Sequence, residues 1–83
     1  MPPQDAPENR TGEPRYLLDT VLRACDVLRS FQFEGELLRL RDVVFRTGLN
    51  KTNVYRLLQS LAKGGLIERT AAGQYRPMLK PLY

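Results

Sequence analysis

The sequence predicts a small, mainly α-helical fold that ends in a short β-hairpin. Apolar residues recur at helical spacing through 15–31, two short amphipathic segments flank a Thr47-Gly48-Leu49-Asn50 break, and two strand-like runs follow Gly64-Gly65. Helix, Gly-containing turn, helix and hairpin in that order make a winged helix-turn-helix, with three helices and a wing sheet of two or three strands. The 83 residues suffice for one domain with one modest core. Three spans are expected: a disordered, Pro-rich acidic tail over 1–14, the folded domain over 15–76, and the start of a linker over 77–83.

The first span holds four prolines and no apolar periodicity, so it cannot bury enough surface to offset the entropy of ordering it. The first helix is expected over 15–31. Leu18, Val21, Leu22, Cys25 and Leu28 fall on one stripe, which is read as the face turned to the core. Cys25 then fills core space as an inert thiol. Phe31 and Phe33 are placed at the end of the core, and residues 32–36, with Gly35 among them, form a loop. Leu37-Leu38-Arg39-Leu40 reads as one brief strand. Val43 and Val44 supply the apolar side of the second helix, joined by Leu40 and Phe45, and Asp42 near its start meets the helix dipole favourably. Arg41 is a poor N-cap by type, which leaves the start of that helix open.

Gly48 suits the left-handed residue that closes this helix. Asn50 suits the N-cap of the next, because its side-chain oxygen can accept from a free N–H of the first turn. In the third helix Val54, Leu57, Leu58 and Leu61 share one face. The opposite face carries Thr52, Arg56, Gln59 and Lys63, with Asn53 and Tyr55 on its flanks. No acid and no large aliphatic residue interrupts that face. Its side chains are the donors and acceptors that pair with base edges and phosphates, although a merely solvated face would also be polar. Gly64-Gly65 stops the helix. Residues 66–70 and 74–76 then form the arms of the wing around Ala71-Ala72-Gly73, carrying Arg69 and Arg76. A wing that only covers the core would leave both arginines solvated. Pro77 could open a helical turn, and the apolar residues of 77–83 suggest contact with another subunit or domain.

Net charge is +4, and its distribution is uneven. Residues 1–36 hold four basic and seven acidic side chains, whereas residues 37–83 hold nine basic ones against Asp42 and Glu68 alone. A one-sided basic half is the electrostatic footprint of a nucleic-acid binder. The chain has no His, no paired carboxylates at a plausible site and no glycine-rich phosphate loop, so no catalytic residue, metal site or cofactor is expected. A single Cys leaves no internal disulfide. No run of about 18 apolar residues could span a membrane, and the acidic N-terminus lacks the features of a signal peptide. A cytoplasmic protein is the expectation.

Several spaced motifs resemble the N-terminal domain of the isocitrate lyase regulator (IclR) family of bacterial transcription factors. Residues 20–28, Thr-Val-Leu-Arg-Ala-Cys-Asp-Val-Leu, are similar to the family's first-helix pattern. Thr47-Gly48-Leu49 with Lys51, and Val54-Tyr55-Arg56-Leu57-Leu58-Gln59 with Leu61, are similar to its core signature, and 65–69 with Tyr75-Arg76 to its wing. The likeness covers about 17–76. Asn50 stands where the family usually has Pro, Asn53 where it has Thr, and Arg41 where it has a Ser or Thr cap. The resemblance implies a transcriptional repressor that binds operator DNA as a homodimer. It also implies a small-molecule effector acting only through a C-terminal domain that this chain ends too early to include. Base-edge contacts are expected from Thr52, Asn53, Arg56 and Gln59, with Tyr55 on the same helix. Arg46, Lys51, Lys63, Arg69 and Arg76 are expected on phosphates. The competing expectation is a winged helix that docks a protein partner without binding DNA.

Overall fold

A computed structural model describes residues 16–78. The predicted tail over 1–14 and most of the predicted linker, 79–83, lie outside the described residues. Three helices, α1 (Asp19–Arg29), α2 (Leu40–Thr47) and α3 (Lys51–Lys63), precede the antiparallel strands β1 (Ile67–Arg69) and β2 (Tyr75–Pro77). This is the winged helix-turn-helix that the order of segments predicted.

The turn between α2 and α3 follows from its residues. Gly48 closes α2 at φ 73°, and its N–H donates to the Val44 carbonyl at 2.9 Å. The Thr47 hydroxyl donates to the Val43 carbonyl and accepts from the Leu49 N–H, which carries the chain round to Asn50. Asn50 Oδ1 then accepts from the Asn53 N–H at 2.8 Å, capping α3. The start of α2 falls one residue before Arg41, with Arg39 as N-cap. An arginine side chain has no acceptor to offer the first turn. The return contact compensates in part, as the Arg39 N–H donates to the Asp42 carboxylate at 2.9 Å.

Val27, Leu38, Val43, Val54, Leu57, Leu58, Leu61, Ile67 and Tyr75 are buried together, so every element contributes to one core. The anticipated strand at 37–40 shrinks to one residue. Leu38 exchanges two backbone hydrogen bonds with Tyr75, and Leu40 already belongs to α2. Pro77 sits in β2 opposite Ile67 and opens no helical turn.

The first helix departs most from expectation. It begins at Asp19, and its buried side is Val27, flanked by Ala24, Leu28 and Phe31. Of the anticipated core stripe, Leu18 is 66% exposed, Val21 55% and Leu22 42%, while Cys25 is half-buried and Leu28 alone packs on the core. The helix carries two apolar sides, and its phase alone does not say which one its own domain covers. Phe33 is likewise exposed, leaving Phe31 to close that end of the core. On α2, Phe45 was expected on the apolar side but is 89% exposed, because it lies about 200° round the helix from the buried Val43.

Candidate nucleic-acid interface

With Val54, Leu57, Leu58 and Leu61 turned into the core, α3 presents Thr52, Arg56 and Lys63 to solvent. The core anchors one side of the helix so firmly that the other must face out. Lys51 is exposed at the start of α3, Tyr55 is half exposed, and Asn53 and Gln59 are half-buried on opposite flanks.

Gln59 is tied to the wing. Its Nε2 donates to the Tyr75 hydroxyl at 2.9 Å, and the Tyr75 ring is buried in the core. One amide proton is used there, while Oε1 and the second proton stay available. The sequence placed Gln59 on the outer face by phase; its link to β2 is a tertiary fact.

Arg46 was expected on a phosphate, but the structure engages it inward. Nη1 donates to the Ser30 carbonyl and to Glu36 Oε1, both at 2.8 Å, and Nη2 donates to Glu36 Oε2 at 2.9 Å. This fork holds the 30–36 loop against α2. The Glu36 side chain is only 9% exposed, and its carboxyl is held below the usual glutamate range. The Arg46 hydrogen bond is the main cause, followed by the Gln32 N–H. The same bond raises the Arg46 guanidinium. The guanidinium stays charged, and the paired carboxylate offsets its field.

On the wing, Arg69 is exposed at the end of β1. Arg76 stands opposite Glu68 in the strand pairing, and its Nε donates to Glu68 Oε1 at 2.6 Å. Both partners are well exposed, so the pair contributes little to stability and opens readily. Gly73 takes φ 78° in the turn, as its place in the hairpin predicted. The fold also sets beside Lys51 two cations that sequence reasoning left out. Arg39 and Arg41 line one cleft of about 480 Å³ with Lys51, Leu40 and Gly73. Only the folding of the wing tip against the starts of α2 and α3 makes them neighbours.

The family profile of the IclR helix-turn-helix domain matches residues 20–71. The chain belongs to the IclR helix-turn-helix family. This is a DNA-binding domain of transcription regulators, and the family is not one of enzymes. The chain is similar to the IclR family transcriptional regulator from Brucella abortus, at 27% identity and TM-score 0.72, over 78% of this chain and 25% of that one. It shares its fold with an IclR homologue from Microbacterium hydrocarbonoxydans complexed with 4-hydroxybenzoate, at 22% identity and TM-score 0.67, over 72% of this chain and 25% of that one. An IclR homologue from Microbacterium sp. strain HM58-2 shares it too, at 22% identity and TM-score 0.64, over 70% and 24%. This IclR-type chain therefore spans about a quarter of the length of those solved structures. No curated protein matches it. No helix among the described residues is long and apolar enough to cross a membrane.

Proposed function

We propose that this IclR-type domain binds double-stranded operator DNA sequence-specifically, with α3 in the major groove and the wing against the backbone. The acid-free exposed face of α3 carries this reading, because Thr52, Arg56 and Lys63 stand out from a helix whose other side is locked in the core. Thr52, Asn53, Arg56 and Gln59 read base edges, the last with its amide oriented by Tyr75, and Tyr55 packs beside them. Lys51, Lys63, Arg69 and Arg76 neutralise phosphates, joined by Arg39 and Arg41. Arg46 leaves that set because Glu36 holds it.

The domain acts as a homodimer, which would set two copies of α3 in major grooves one helical turn, or a multiple of it, apart. The exposed Leu18, Val21 and Leu22 of α1 support a second copy there, since a helix with two apolar sides is built for two neighbours. Bound over a promoter in the bacterial cytoplasm, the dimer represses transcription. Effector binding belongs to sequence beyond the winged helix, as the small share of the solved relatives matched by this chain suggests.

The test is a titration of labelled duplex from upstream of the chain's own gene, against a scrambled duplex, at about 50 and about 200 mM salt. Tighter binding to the native duplex that survives the higher salt is expected. Arg56→Ala should cost about 1–3 kcal/mol and relax the preference at one base position. Absence of binding to either duplex at low salt would overturn the proposal in favour of protein docking.

A further inference from the structure

The two flanks of α3 differ in what adjoins them. One flank meets the wing: Gln59 bonds Tyr75, and Lys51 lines a cleft with Gly73. The other flank meets α1. There a cleft of about 240 Å³ is lined by Thr20 and Arg23 of α1 and by Asn53, Arg56, Leu57 and Ser60 of α3. Two guanidiniums, two hydroxyls and one carboxamide converge on it, and no carboxylate lines it. Asp19 and Asp26 lie about one turn either side of Arg23, yet neither forms an ion pair with it among the described residues. Arg56 forms none there either. Two like charges at one small cleft repel each other, and an oxyanion between them turns that repulsion into attraction.

A helix lying in the major groove has a sugar-phosphate strand along each of its flanks. The cleft shares Arg56 with the outward face of α3, so it opens beside the surface that the proposed function directs into the groove. We propose that this α1–α3 cleft seats one backbone phosphate of bound duplex DNA. Arg23 neutralises the phosphate and the Thr20 and Ser60 hydroxyls donate to its oxygens, while Arg56 and Asn53, shared with the reading face, turn one donor each to the phosphate and keep the rest for base edges. The inference rests on the DNA-binding reading, and it extends the interface to α1, which the helix-turn-helix and wing leave out. Arg23 acts here as a positioning contact that carries no base preference.

The experiment compares wild type, Arg23→Gln and Arg23→Lys on a mixed-sequence duplex between about 50 and about 200 mM salt. Arg23 is exposed and makes no hydrogen bond among the described residues, so each variant should keep the wild-type Tm by circular dichroism. Arg23→Gln should weaken binding alike for every sequence. Its loss of affinity across that salt range should be about threefold smaller than for wild type, as expected when one phosphate contact is removed. Arg23→Lys should retain most of the salt dependence. A wild type that binds duplex DNA with a salt dependence that Arg23→Gln leaves unchanged overturns the site. In a second arm, inorganic phosphate is titrated into the free protein and followed by amide NMR. Should wild type bind no duplex, the DNA reading fails and this arm decides. Saturable shifts at Thr20, Asn53 and Ser60 that Arg23→Gln abolishes uphold an oxyanion site independent of DNA, and no shifts at those residues overturn it.

Discussion

Arg46 and Gln59 both carry donors suited to DNA, and the fold uses each of them internally. For Arg46 the partner is a nearly buried carboxylate. A carboxylate whose folded pKa lies below its unfolded one stabilises the fold above the unfolded value of about 4.3, and that contribution is lost as pH falls through the lower folded value. Wild type should therefore lose more stability than Glu36→Gln between about pH 7 and about pH 3, as read from urea unfolding at each pH. Equal losses would mean that the fork contributes nothing to the acid limb. For Gln59, the bond to the Tyr75 hydroxyl should appear as a coupling of about 0.5–1.5 kcal/mol in a double-mutant cycle of Gln59→Ala and Tyr75→Phe. Additive single effects would show the side chain to be free.

Among the elements, the α2–α3 turn is the most locally encoded. Gly48 at φ 73° has nothing within 4 Å of where a Cβ would stand, so Gly48→Ala meets no clash. Its cost is the left-handed backbone alone, about 1–2 kcal/mol, to be measured by thermal or urea unfolding. Gly48→Asn should cost less, because asparagine tolerates that conformation better. A loss well above that range would point to a crowding that the geometry lacks. By contrast, α1 is a helix whose residues state its amphipathicity but not its orientation. Its Leu18-Val21-Leu22 side and its Val27-Leu28-Phe31 side both qualify as core by composition.

At the scale of the whole molecule, the two apolar sides of α1 let folding and the proposed dimerisation be tested separately. The Val27 side joins the core cluster of α2, α3 and the wing. The Val21 side stays outside that core, so Val21→Glu should leave the unfolding free energy within about 0.5 kcal/mol of wild type. It should also shift the proposed dimer to monomer in sedimentation velocity. A variant that loses stability but keeps its mass would show that Val21 serves the domain's own core. Charge is arranged at this scale too. The excess of basic groups over 39–76 is spread across α2, α3 and the wing, and the acidic N-terminal half adds Arg23 at the α1–α3 cleft.

The sequence by itself determined the order of elements, the α2–α3 turn with its Gly48 and Asn50 caps, the buried face of α3 and the place of the wing. Each of these depends on contacts within a few residues or on a strong period. Tertiary structure alone decided which side of α1 is buried, because a helix with two apolar sides satisfies the same period either way. It also decided the fates of Arg46, Gln59 and Arg76. Phase marks a side chain as outward, but a carboxylate from a distant loop, a tyrosine hydroxyl from β2 or a cross-strand glutamate claims it only once the chain has closed. The same holds for the clefts at Arg39 and Arg23, whose walls come from elements far apart in sequence and meet only because the shared core draws them together.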